Sequence, residues 1–318
     1  MTVKNKAVDA KGAGFGTRFI NDIKKHPYVY LLAIPVLVYY ILFCYVPMFG
    51  IVIAFKDYVP VKGVFNSPWA DMYGFEHFIS FIKDPYFVRV LRNTLLISVY
   101  SIIFGFPSPI IFAILLNEIR SNKFKRTVQT ITYLPHFISM MVVCGMITTF
   151  VGREGFINDI IVALGGERSN LITRPELFRT IYIVSDMWQG VGWNSIVYIA
   201  ALTAIDQQLY EAATIDGAGV FRKIWHISIP GIMPTVIIML IMRLGSLLSV
   251  GYEKIILLYT EMTYETADVI SSYVYRRGIL NTDYSFSAAV GLMNAVVNFI
   301  VIYISNRISK KLSETSLW

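Results

Sequence analysis

Leu209-Tyr-Glu-Ala-Ala-Thr-Ile-Asp-Gly-Ala-Gly-Val-Phe-Arg-Lys-Ile-Trp-His-Ile-Ser-Ile-Pro230 is a polar interruption between two long apolar runs. Gln207 to Ile215 has the makings of a short helix, and Gly217 and Gly219 permit a sharp turn because glycine reaches positive φ without steric penalty. A second short helix is expected over Val220 to Ile227, after which Pro230 and Pro234 mark the entry into the next run. The segment therefore reads as a helix-turn-helix lying on a membrane face. Ala212 and Ala213 allow close approach, and Phe221, Ile224 and Trp225 form an apolar face that needs something to pack against.

The runs on either side are long enough to cross a bilayer, which takes roughly 20 apolar residues. Before the loop comes Thr180 to Ile205, with a single charge, Asp186; after it comes Ile232 to Leu258, with Arg243, Glu253 and Lys254. Further out lie Asn93 to Asn117, Thr127 to Gly152 and Tyr284 to Asn306, and the first run, Tyr28 to Phe55, carries no charge. That first run is too long for a signal-peptide core and is expected to remain as a helix. The expectation is an all-α integral membrane protein with six transmembrane helices. Pro35, Pro47, Pro107, Pro109 and Pro135 lie inside spans and predict kinks, which a bundle tolerates because neighbours satisfy the freed carbonyls. Composition agrees: 55% of the 318 residues are apolar and 15% charged, against roughly 25% charged in soluble domains. So few charges leave much of the surface for lipid, and the mean hydropathy is +0.57.

The formal charge is +7, but the basic residues fall between apolar runs and form no stripe, which argues against nucleic acid as a partner. With the N-terminus in the cytoplasm, segments 1–27, 118–126, 203–231 and 307–318 hold 15 Lys and Arg, against 9 in 56–90, 152–177 and 259–285. The excess is concentrated in the short segments, where the positive-inside rule is strongest, so both termini are expected in the cytoplasm. Residues 1–27 read as a flexible basic arm, 28–306 as the membrane domain with the loop 203–231, and 307–318 as a cytoplasmic tail.

With the loop placed on that side, it resembles the EAA signature of the membrane subunits of bacterial ABC importers. Glu211, Ala212, Ala213, Gly217, Ile227 and Pro230 stand at the signature's spacings, with Ile229 where leucine is usual. Tyr30-Leu-Leu-Ala-Ile-Pro35, Thr132-Tyr-Leu-Pro-His136 and Trp188-Gln-Gly-Val-Gly-Trp193 are similar to the carbohydrate branch of these permeases, closest to LplB-type oligosaccharide and uronate permeases. The resemblance implies the type I ABC importer fold. It also implies a second homologous permease, two ATPase subunits and an extracytoplasmic solute-binding protein as partners, in a bacterial inner membrane. The loop would be the coupling helix, joined to the ATPase through Glu211, Ala212, Ala213, Asp216, Gly217, Phe221, Arg222, Ile227 and Pro230. The chain has no G-x-x-x-x-G-K-[ST] phosphate loop, so ATP and Mg are expected on a partner and no cofactor on this chain.

Charges inside a membrane are candidates for function. Asp186, Gln189, Gly190 and Trp193 have offsets that gather them on roughly one helix face, with Trp188 and Asn194 beside them in sequence. Aromatic rings, amides and a carboxylate suit an oligosaccharide, and two readings stand: a sugar-lining face, or an interfacial belt and core packing by Trp188 and Trp193. Arg243 has the same ambiguity, facing either an acidic sugar or an internal partner such as Asp186 or Glu253. Lys254 is expected to snorkel to the outer interface, and Asn294 and Asn298 to make interhelical hydrogen bonds. The four histidines and two cysteines are scattered and give no metal-ligand spacing. No nucleophile–base pair is evident, so a membrane hydrolase is disfavoured. The same machinery carrying a non-sugar solute, or a non-transporting signalling protein with this fold, remain as alternatives.

Overall fold

The computed structural model describes residues 15–313, 316 and 317. Residues 1–14 of the expected basic arm lie outside the described residues. The remainder of that arm is helical: α1, Phe15–Lys25, directly precedes the first span. The spans are α2 (Pro27–Phe55), α3 (Phe87–Glu118), α5 (Met140–Val151) prolonged through a turn by the helix Phe156–Ala163, α6 (Pro175–Thr203), α8 (Val220–Leu244) and α10 (Tyr284–Ser313); α4 (Asn122–Tyr133) leads into α5, and α9 (Tyr252–Leu258) follows α8. Between α6 and α8 lies the short helix α7, Gln207–Ile215. Among the described residues, five helices are long and apolar enough to cross a membrane. α6 adds a sixth at 29 residues, about 43 Å of helix; its polar side chains at Asp186, Gln189 and Asn194 lower its hydropathy.

The prolines produce a repeated local solution. π-helical turns at Ile41–Tyr45, Ser101–Gly105 and Ile224–Ser228 each end two residues before a proline, at Pro47, Pro107 and Pro230. Proline lacks an N–H and crowds the carbonyl four residues back. Widening the preceding turn moves that carbonyl away, and the residue before the proline bonds five residues back instead, as Phe106 N does to Ser101 O at 2.9 Å. The helices thus remain continuous through these prolines. Pro135 behaves differently: a 3-10 turn at Leu134–Phe137 and extended residues Ile138 and Ser139 break the expected single helix over Thr127 to Gly152.

Two further expectations need correction. The second helix of the polar loop does not stop at Ile227; it runs through its π turn and past Pro230 and Pro234 into the membrane span, so the loop is one short helix followed by the start of α8. Conversely, Ile232 to Leu258 is not one helix. The chain unwinds between Leu244 and Tyr252, and α9 is a separate piece. At the C-terminus α10 continues through Ser313, so much of the expected tail is helix.

The buried core centres on α3 and α6. Ala113, Ile114, Tyr198, Leu202 and Ile232 join α3, α6 and α8 near the α7 end. Ile97, Val143, Ile147, Phe178 and Ile255 join α3, α5, α6 and α9 toward the other end. α2 is different: no part of its apolar window is buried, so its surface requires lipid or another chain as solvent.

Candidate functional site

Two adjoining cavities, of about 340 and 290 Å³, run between α3, α6 and α8 and share Ser101, Asp186, Arg243 and Ser246 in their walls. Along α6, every fourth residue from Tyr182 through Asp186, Gly190 and Asn194 to Tyr198 lines one or both cavities, with Met187 and Val191 beside them. This face differs from the expected one. Trp188, Gln189 and Trp193 line neither cavity. Trp193 stacks on His136 at 4.5 Å between ring centres, with the planes 4° apart, and meets Phe137 edge-on. It secures α6 to the turn after α4. Gly192 permits that contact, since a Cβ there would lie 2.2 Å from the Thr132 carbonyl oxygen.

The unwound stretch between α8 and α9 forms much of the opposite wall. Free backbone groups in a membrane are costly, and side chains from three elements satisfy them. Ser98 of α3 donates to Leu247 O. Asn298 of α10 accepts from Leu248 N at 3.1 Å and donates to Ser249 Oγ at 3.0 Å, and Ser271 donates to Val250 O at 2.8 Å. The Asn294 side-chain oxygen, by contrast, is buried without a hydrogen-bond partner among the described residues.

The break redirects Lys254. It does not snorkel; at 2% exposure it is buried, donating to Tyr182 O at 3.4 Å and lying 3.5 Å from Asp186 Oδ1. Arg243 donates to Ser101 Oγ and has no carboxylate within ion-pair distance among the described residues. Ser98, Ser101 and Tyr182 were not singled out in the sequence, and Lys254 was read there as an interfacial residue. The available signal was the pair Gly245 and Gly251 bracketing Ser246 and Ser249, a composition suited to unwinding.

Beyond the cavities, at the end away from α7, an ion-pair network fastens the segment between α9 and α10 to α3 and α6. Asp268, fully buried, accepts from Arg276 at 2.7 and 2.9 Å, from Arg89 at 3.2 Å and from Ser272 at 2.8 Å. Asn93 donates to the Asp268 and Glu265 carbonyls and accepts from Arg179. Burial works against the Arg276 charge, but its hydrogen bonds to Asp268 and Tyr259 outweigh this and hold its pKa above the ordinary arginine value.

At the opposite end, α7 stands exposed. The Asp206 side chain caps it through Gln208 N at 2.9 Å, and Gly217 ends it at φ +75. Gly219 needs no such freedom, with φ −69. Tyr210 bonds Ser228 at 2.9 Å and Lys223 bonds Thr214 at 3.1 Å, bracing α7 against the start of α8. Glu211, Ala212, Asp216, Arg222 and Pro230 are exposed, and Ala213 and Ile227 are partly covered. Phe221 and Trp225 are 89% and 70% exposed. Large apolar side chains set among charges in this way mark a surface for another protein.

Residues 86–314 match the family described as binding-protein-dependent transport system inner membrane component. Protein LplB of Bacillus subtilis is 41% identical over 307 residues, covering 96% of both chains. The polygalacturonan/rhamnogalacturonan transport system permease protein YteP of the same organism is 40% identical, covering 95% of this chain and 93% of its own. Among solved structures, a chain of a bacterial ABC transporter involved in the import of the acidic polysaccharide alginate superposes with TM-score 0.85 at 41% identity, over 93% of this chain and 99% of that one. The same TM-score is found for a bacterial alginate ABC transporter in complex with an alginate pentasaccharide-bound periplasmic protein, at 40% identity.

Proposed function

The chain belongs to the binding-protein-dependent transport system inner membrane components, and from that premise we propose that it is the permease subunit through which an acidic oligosaccharide crosses the membrane, by way of the cavity between α3, α6 and α8. ATP hydrolysis belongs to a separate subunit of such importers. The observation that carries the cargo reading is Arg243: a guanidinium at the cavity wall with a serine as its partner and, among the described residues, no carboxylate within ion-pair distance. Arginine matches a carboxylate through two parallel hydrogen bonds, and an intramembrane charge without an internal counter-ion is suited to a charged cargo. The relatives associated with alginate and polygalacturonan point to the same chemistry.

In this reading α7 and the start of α8 face the cytoplasm, and Glu211, Phe221 and Trp225 seat against the ATPase. The exposed apolar length of α2 packs on the second permease or lipid, and a solute-binding protein docks at the far end. Alternating access then moves the two permeases about the cargo path.

Arg243→Ala in the complete transporter tests the cargo. Uptake of a uronate oligosaccharide is expected to fall about tenfold more than that of its carboxyl-reduced counterpart, the worth of one charge-assisted contact. Equal loss for both would make Arg243 a packing residue.

A further inference from the structure

Asp268, beyond the cavities, and Asp186, in their wall, are held in opposite ways. Asp268 is fully enclosed and takes hydrogen bonds from Arg276, Arg89 and Ser272, all within 3.2 Å. That is a clamp, with every lone pair assigned. Asp186 has one charged neighbour, Lys254, at 3.5 Å, and its side chain remains 44% exposed to the cavity. Lys254 is the reverse: buried, fixed by the Tyr182 carbonyl at 3.4 Å, with its ammonium 5.0 Å from the centre of the Tyr182 ring. A rigid cation thus faces the cavity beside a loosely held anion. Arg243 lies in the same wall without a carboxylate, and Glu253 lines the cavity without an ion-pair partner among the described residues.

We propose that Asp186 is a placeholder for the cargo's carboxylate. In the empty cavity it neutralises Lys254, whose charge is too costly to leave bare at this depth. When an acidic sugar enters, its carboxylate takes the place of Asp186 on the Lys254 ammonium, and Asp186, already half-exposed, turns to the cavity water or to the sugar hydroxyls. One carboxylate replaces another, so the charge on the lysine stays paired throughout. A neutral sugar offers nothing to displace Asp186 and leaves the pair closed. Lys254 thereby becomes a specificity-determining residue alongside Arg243, and Asp186 sets the threshold that an anion must exceed. The exchange also opens the ion pair that ties α6 to α9. This inference rests on the reading of the cavity as the cargo path.

The test uses the assembled transporter in nanodiscs without its solute-binding protein, so that the cavity alone is read. Binding of a uronate trisaccharide and of its carboxyl-reduced counterpart is titrated by saturation-transfer NMR. In Asp186→Asn the ratio of uronate to neutral-sugar affinity should rise about tenfold over the wild type, since the uronate's competitor is gone. In the double variant Asp186→Asn/Lys254→Met, which leaves no lone charge, the uronate should lose its advantage over the neutral sugar by about fivefold or more. Parallel changes for both sugars, or no change for the uronate, overturn the placeholder and leave a packing contact. Should the single variant fail to assemble, the double variant decides alone, and a wild-type ratio of acidic to neutral binding there overturns the proposal. A wild-type complex that binds neither sugar overturns the cargo reading together with the placeholder; wild-type binding with unresponsive variants overturns the placeholder only.

Discussion

Gly190 and Gly192 stand two residues apart on α6 and serve different needs. A Cβ on Gly192 would lie 2.2 Å from the Thr132 backbone, whereas one on Gly190 would meet only the Asn194 side-chain nitrogen, at 3.0 Å on the cavity side. Gly192→Ala must therefore separate α6 from α4 at the Trp193–His136 stack, at a cost of about 2–3 kcal/mol, and Gly190→Ala should cost little. Thermal unfolding of the purified chain in detergent checks this: a lower midpoint is expected for Gly192→Ala alone, and equal midpoints would contradict the packing. In the sequence both glycines sat in one motif between two tryptophans, and spacing could not tell which faced a neighbour. The same limit applied to Asp186, Gln189, Gly190 and Trp193. A face drawn through three-residue steps included Trp193, while the helix presents the four-residue row from Asp186 to Asn194 to the cavity. Lys254 was read as snorkelling to the interface, and its burial was not legible because it depends on an interruption of the helix before it.

At the scale of elements, apolar length located the first span closely, because hydrocarbon thickness leaves little freedom, but the third and fifth helices begin and end well away from the expected bounds. What length could not give was continuity. Pro230 and Pro234 looked like an entry point, yet the π turn at Ile224–Ser228 carries the helix past Pro230. The sequence from Gly245 to Gly251 looked like the middle of a span, yet it unwinds because Ser98, Ser271 and Asn298 on other elements supply the missing hydrogen bonds. Those partners lie roughly 20 to 150 residues away in sequence, beyond the reach of any local pattern. The polar segment at 207–231 was the most legible element, since its turn is local: Gly217 takes φ +75 and Ala218 N closes on Ala213 O at 2.8 Å. Proline cannot adopt that φ, so Gly217→Pro should distort the end of α7, and Glu211→Ala should remove its exposed charge. Each is expected to lower uptake per ATP hydrolysed by about tenfold in the assembled transporter, measured as the ratio of the two rates in proteoliposomes. A wild-type ratio in both variants would remove α7 from the coupling path.

For the whole molecule, the core accounts for part of the surface only. The window of α2 is apolar and wholly unburied, and Phe221 and Trp225 project at the α7 end. Both surfaces are those of a subunit rather than a finished transporter. The charge asymmetry supports the α7 end as cytoplasmic, since the basic cluster Arg120, Lys123, Lys125 and Arg126 sits on the same side of the bundle as α7 by connectivity. Composition and apolar runs were enough to read an all-helical membrane protein, and the resemblance of the polar loop to the EAA signature implied the kind of machine. The cavity was not readable in the same way, because it is formed where three spans and a broken helix meet. The account is tested most directly by uptake of a radiolabelled uronate oligosaccharide into proteoliposomes holding this chain, its partner permease and the ATPase subunits, with the solute-binding protein outside and ATP inside. Accumulation that requires both ATP and the binding protein is predicted. ATP hydrolysis by the assembled complex without accumulation of the oligosaccharide would contradict it.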